Sequence, residues 1–201
     1  MTENSINKES LKASPSGSLE GLSICVFCSS SNHVAEKYKK SAFRLGEFIA
    51  ESGHTLVYGG ASGGLMNAVA EGARSKNGEV IGVIAKRIIR MKGKSDLSTQ
   101  QIVMQNLSER KQLMKALSDI FVVLQGGYGT LDEMFDVVAA GTVGEHRKPL
   151  FLVNEDGFYN HFLQEIEQMK SEKCIPEQES YTISVAQNID DCIEQIKKIK
   201  I

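Results

Sequence analysis

The stretch Leu124-Gln125-Gly126-Gly127-Tyr128-Gly129-Thr130-Leu131-Asp132-Glu133 constrains this chain more than any other. An apolar run, Ile120 to Leu124, leads into it and reads as a buried strand. Leu131, Met134, Phe135 and Val138 follow at three- and four-residue spacing, the period of one helix face. Glycines at 126, 127 and 129 join the two. Glycine lets a backbone turn sharply and lets a ligand approach its N–H groups. A helix N-terminus behind such a loop adds unpaired N–H donors and a partial positive charge, which suits a phosphate. Glu133, in the first helical turn, then faces whatever the phosphate carries. A second reading of Glu133 stays open, because Thr130-Leu131-Asp132-Glu133 also fits the capping box S/T-x-x-E.

The rest of the chain repeats this strand–loop–helix unit. Strands are expected at Leu22–Phe27, Thr55–Tyr58, Glu79–Ala85, Gln101–Met104, Pro149–Val153 and Tyr181–Val185. Helices are expected from about His33 to Ser52, behind Gly64, from Asn106 to Ser118, from the glycine loop to about Val143, and over Gly157–Lys170 and Asp190–Lys198. Lys86 to Ser98, with basic residues at 86, 87, 90, 92 and 94, reads as a mobile surface loop, and residues 1–20 as a flexible polar tail. Strands alternating with helices predict an α/β fold, a Rossmann-like doubly wound parallel sheet over residues 21–201. Ligands bind such sheets at the carboxyl ends of the strands. The Ser-rich loop Cys28–Asn32 and the Gly-rich loops at 59–64 and 125–129 all lie there, so they can converge on one crevice.

One helix carries an anomaly. Between Asn106, a plausible cap with Glu109 three residues on, and Ser118, the apolar stripe is Leu107, Met114 and Leu117. That period puts Arg110, with Lys111 beside it, on the inward stripe. An unpaired buried charge is costly, so the pair either has a purpose there or reaches past the helix edge to solvent.

Composition excludes other classes. A net charge of −2 over 201 residues implies no broad basic surface for nucleic acid. No apolar run approaches the roughly 20 residues that span a bilayer, and the N-terminus has no signal-peptide core. Cys25 and Cys28 form a C-x-x-C, but no second pair or His pair completes a zinc site, and both fall in an apolar strand where cysteine is common core filler. A reduced, cytoplasmic protein is the expectation. Two familiar phosphate motifs fail as well. The pattern G-x-G-x-x-G meets Ala61 from Gly59 and Asp132 from Gly127. For the P-loop, Gly93-Lys94-Ser95 supplies the tail, but Ile88 stands where the first glycine belongs. A mononucleotide or sugar phosphate held by another loop geometry is the remaining reading.

Gly126-Gly127-Tyr128-Gly129-Thr130-Leu131-Asp132-Glu133 resembles the P-G-G-x-G-T-x-x-E signature of the Lonely Guy family, cytokinin riboside 5′-monophosphate phosphoribohydrolases long mislabelled as lysine decarboxylases. Leu56-Val57-Tyr58-Gly59-Gly60, Gly64-Leu65-Met66, Val80–Ile84, Glu109-Arg110-Lys111 and His146-Arg147-Lys148-Pro149 match in the family's order, so the resemblance covers about residues 22 to 195. It implies a Rossmann-like homodimer that hydrolyses the N-glycosidic bond of a purine nucleoside 5′-monophosphate, with no metal or cofactor, giving base and ribose 5-phosphate. It implies Arg110 and Glu133 as the catalytic pair. Substrate and phosphate binding would fall to Lys111, Gly126, Gly127, Tyr128, Gly129, Thr130, Leu131 and Asp132, together with Ser29, Gly59, Gly60 and Met66.

The departures cluster around the base. Gln125 replaces the signature proline, and a loop less fixed than proline would make it is expected. Asp132, Ala61, Asn67, Ala85, Ser108 and Ala139 replace usual residues, and Lys92 falls where plant members carry a substrate-contacting glutamate. These changes leave the base, adenine or isoprenylated adenine, open. They also motivate an alternative, a nucleotide-binding carrier or sensor of the same fold without catalysis.

Overall fold

The computed structural model describes residues 21–176 and 181–199. The expected tail at 1–20 lies outside the described residues, as does part of the loop after Pro176. In chain order the elements are β1 (Ser23–Phe27), α1 (Glu36–Glu51), β2 (Thr55–Tyr58), α2 (Gly64–Ser75), β3 (Val80–Ala85), α3 (Lys86–Lys92) and β4 (Gln100–Met104). Then come α4 (Leu107–Leu117), β5 (Ile120–Val123), α5 (Tyr128–Thr142), β6 (Leu150–Val153), α6 (Asn160–Ser171), β7 (Ile183–Ala186) and α7 (Ile189–Lys197). Element ends fall within three residues of the expected ones, the margin at which helix ends fray.

The seven strands form one parallel sheet in the order β4-β3-β2-β1-β5-β6-β7. Side chains alternate across it. Ile24 and Val26 of β1 face a core filled by α1, α2 and α7, whereas Cys25 and Phe27 face one filled by α4, α5 and α6. Burial on both faces is why β1, β3, β5 and β6 read as unbroken apolar runs. Cys25 and Cys28 are buried free thiols, and burial pushes both well above the usual thiol range. They are core filler rather than a reactive pair. The chain order reverses between β1 and β5, so the loops leaving these two strands part and open a crevice.

Three local expectations need correction. Residues 86–92 form helix α3, not a loop. Ile88 and Ile89 pack against the core while the basic side chains stay in solvent, so a reading led by charge missed a short amphipathic turn. Gly93, at φ 75°, ends the helix, and the Ser95 N–H then donates to the Gly60 carbonyl at 2.9 Å. In α5 the buried stripe is Thr130, Glu133, Met134, Val137 and Ala140, so the inward face is rotated away from the exposed Phe135. In α4, Arg110, Met114 and Leu117 are buried but Leu107 is 47% exposed. Arg110 thus occupies the inward position one turn before Met114.

Candidate functional site

The crevice at the carboxyl ends of β1, β2 and β5 encloses about 300 Å³, the lower end of the range for small-molecule sites. Its loops are tied through one peptide. The Ser29 N–H donates to the Gln125 carbonyl at 3.0 Å, and the Ser29 carbonyl accepts from the Leu65 and Met66 N–H groups at 2.8 and 3.3 Å. The loops after β1, β2 and β5 are held together at that point. Behind them, the Tyr159 hydroxyl donates to the Leu124 carbonyl at 2.7 Å. Gln125 is buried, and its side-chain amide donates to the Val153 carbonyl at 3.2 Å. At the position where the resemblance calls for a proline, this chain anchors the backbone with side-chain and main-chain hydrogen bonds.

The glycine loop delivers α5 with its first turn open. Gly127 is the N-cap, and no side chain caps the helix. The capping box is therefore not formed. The helix starts at Tyr128, so Thr130 and Glu133 are already inside it. Thr130 is buried and packs over Gly126, where a Cβ would collide with its hydroxyl. A Cβ on Gly127 or Gly129 would meet nothing within 4 Å. The loop presents open backbone at the crevice, backed by a helix dipole.

Glu133 meets Arg110 instead of a backbone donor. The Arg110 Nη1 donates to Glu133 Oε1 at 2.6 Å, and Nε donates to the Val83 carbonyl at 2.8 Å. The residues are 7% and 5% exposed. The charge expected on the inward stripe is thus buried and paired. Burial raises the Glu133 carboxyl above its ordinary range, while the Arg110 guanidinium opposes the shift. Removing either partner leaves a buried charge alone, at a cost of about 3–5 kcal/mol. Gly59 makes room for this arrangement, since a Cβ there would collide with the Arg110 guanidinium and come within 2.8 Å of Met66 Cε. Lys111 pairs with Asp132 at 2.7 Å and lies 3.6 Å from Asp136, which binds Lys115 at 2.6 Å. This chain of charges couples α4 to α5 at the crevice rim.

Of the residues expected at the site, Ser29, Gly59, Met66, Arg110, Lys111, Gly127, Gly129, Thr130, Asp132 and Glu133 line the crevice. Gly60, Gly126, Tyr128 and Leu131 do not. Gly60 packs on Gln101, Gly126 lies beneath Thr130, Tyr128 is 95% exposed, and Leu131 packs against the core on the α5 side of the sheet. Cys28, Ser30, Ser31, Ala61, Ile88 and Leu107 line it without having been singled out for binding. The serines were signalled by their loop at the end of β1. Ile88 was hidden because its helix read as a loop.

A carboxylate held by a guanidinium, in the second turn behind an open helix N-terminus, can stabilise a cation that develops next to a bound anion. These features define a class, Rossmann-like α/β proteins with a crevice at the switch point of a parallel sheet, lined by open loop backbone and a buried ion pair. A family profile described as "Possible lysine decarboxylase" matches residues 66–196. A cytokinin riboside 5′-monophosphate phosphoribohydrolase of Arabidopsis thaliana is 33% identical over 177 residues, 88% of this chain and 78% of the relative. Another, from Oryza sativa subsp. japonica, is 38% identical over 154 residues, 77% of this chain and 64% of the relative. Among solved structures, the molybdenum cofactor carrier protein of Chlamydomonas reinhardtii is 25% identical with a TM-score of 0.67, covering 89% of this chain and 97% of that one. The chain belongs to the Lonely Guy family of lysine decarboxylase-like proteins.

Proposed function

We propose that this protein hydrolyses the N-glycosidic bond of a purine nucleoside 5′-monophosphate, releasing free base and ribose 5-phosphate. The observation that carries the reading is the buried Arg110–Glu133 pair, 2.6 Å apart, in the second turn behind the open N-terminus of α5. The 5′-phosphate rests on the backbone of Gly127 to Thr130, which places the ribose over Glu133. Cleavage breaks the bond from C1′ to the base nitrogen and builds positive charge on the sugar. The Glu133 carboxylate stabilises that charge and takes a proton from the water that attacks C1′; the base leaves with the bonding pair and takes up one proton from solvent, to which Glu133 then returns its own. Arg110 fixes the carboxylate's orientation, and the held phosphate supplies binding energy that positions the sugar. The names of the Arabidopsis and rice relatives support this reaction class.

Chromatographic detection of free base from AMP and from isopentenyladenosine monophosphate is the test. Base release is expected, with Glu133→Gln lowering it by at least a hundredfold. Silence with every nucleotide tried, or an unaffected Glu133→Gln, would sink the reading. The likeness to a cofactor carrier favours one alternative, a nucleotide-binding carrier without catalysis. Tight AMP binding with no turnover would select it. A homodimer and a reducing, cytoplasmic setting complete the proposal. The buried thiols and the exposed Phe135 and Val143 on and just beyond α5 support these two points, and sedimentation of the purified protein checks the first.

A further inference from the structure

The segment from the end of β6 to the start of α6 lies behind the glycine loop, and none of its residues lines the crevice. Two side chains nevertheless tie it to that loop. The Gln125 amide donates to the Val153 carbonyl at 3.2 Å. The Tyr159 hydroxyl donates to the Leu124 carbonyl at 2.7 Å, and the Gly126 N–H acts on the same oxygen, opposing the rise that burial gives this hydroxyl. A tyrosine hydroxyl both donates and accepts, so one oxygen addresses the two peptides that flank Gln125. The ring is held in turn. Tyr159 is buried, with Phe158 and Phe162 edge-on to it at centroid distances of 4.8 and 6.0 Å. Its N–H donates to Asn154 Oδ1 at 2.7 Å, and the Asn154 N–H donates to the Ala186 carbonyl of β7 at 2.8 Å.

A hydroxyl is not needed to fill an apolar core, and burying one is costly unless it is bonded. Here it restrains the peptides that lead into Gly127, a residue with wide backbone freedom. A proline at 125 would restrain the same stretch through its ring. Gln125 is outside the left-handed region, and among the described residues no backbone carbonyl accepts from its N–H. A proline there would break no main-chain hydrogen bond to them.

We propose that Tyr159, assisted by the Gln125 side chain, is a positioning residue for the phosphate: it sets the path of the loop from Leu124 to Gly127, in place of a proline ring, without touching the ligand. The inference rests on the part of the glycosidase reading that seats a phosphate on this loop. Its test is the calorimetric dissociation constant of ribose 5-phosphate, which needs no turnover, beside kcat and KM for AMP. The variants are Tyr159→Phe, Gln125→Ala, and Tyr159→Phe combined with Gln125→Pro. Tyr159→Phe is expected to weaken ribose 5-phosphate about tenfold, the scale of one buried hydrogen bond, and to raise KM for AMP. Adding Gln125→Pro is expected to return the affinity to within about threefold of wild type, because the ring removes the backbone freedom that the lost hydroxyl released. A purely structural Tyr159 would lower the melting temperature of Tyr159→Phe and leave its affinity unchanged. That result, or a double variant that binds no better than Tyr159→Phe, overturns the inference. Should Tyr159→Phe not fold, Gln125→Ala decides, and an affinity equal to wild type overturns the inference. Absence of base release with the affinities as expected would overturn the glycosidase reading and spare this one. Ribose 5-phosphate that fails to bind the wild type would overturn the seating of a phosphate on the loop, and this inference with it.

Discussion

Gly59 shows how a residue with no chemistry can govern a reaction. Its missing Cβ is the space that the Arg110 guanidinium crosses on its way to Glu133. Gly59→Ala should shift that guanidinium and lower base release by at least tenfold, since small misplacements near a reacting centre are costly. The loss should appear in kcat more than in thermal stability, and steady-state kinetics beside a melting curve would separate the two. Glu133 leads to a prediction about pH. Its carboxyl is raised above the ordinary 4.5 by burial, with Arg110 opposing. A raised value means that protonation begins at a less acidic pH, and the protonated form can neither stabilise a sugar cation nor accept a proton. Activity should therefore fall on acidification with a midpoint above 4.5, read from the acid limb of the kcat/KM profile. The inward position of Arg110 was legible because the apolar period of α4 left no other place for it. The spacing of Thr130 and Glu133 was legible too, and it left a capping box open as a second reading that the structure does not form. Where a helix starts is decided by the glycine turn before it, and a local four-residue pattern does not contain that turn.

Helix α5 separates two kinds of glycine that look alike in sequence. Gly126 lies under Thr130, while Gly127 faces open space at the crevice. Gly126→Ala should destabilise the fold by about 1–3 kcal/mol through overpacking, measured as a lower urea midpoint. Gly127→Ala should leave the midpoint nearly unchanged but weaken nucleotide binding, because the added methyl stands where the phosphate would approach. The strands and the long helices were legible because their apolar periods are strong and tertiary burial agrees with them. Helix α3 was not, since seven residues supply too little periodicity to outweigh their charge. The face of α5 was misplaced for a related reason. Polar Thr130 and Glu133 occupy its inward stripe, so counting apolar residues alone turned the helix outward.

At the scale of the molecule, the layer on one face depends on close approach of α1 and α2. A Cβ on Gly46 would collide with the Val69 carbonyl, and one on Gly72 with the Phe43 carbonyl. Gly72→Ala should cost about 1–3 kcal/mol and lower the melting temperature by a few degrees, with kinetics at permissive temperature little changed. That outcome would mark these glycines as packing residues, in contrast to Gly59. The pairing of β1 with β5 has a further consequence, for how the protein comes to exist. Ile24 and Ile120 are register partners in adjacent parallel strands, 96 residues apart in the chain. Their seam is where the crevice opens. Strand pairs this remote close late, after the entropy of a long loop has been given up. Neither the nascent first half of the chain nor a partly folded one holds a site. A ligand that bridges the seam grips only the completed sheet, so it acts as a thermodynamic latch on the final step of folding.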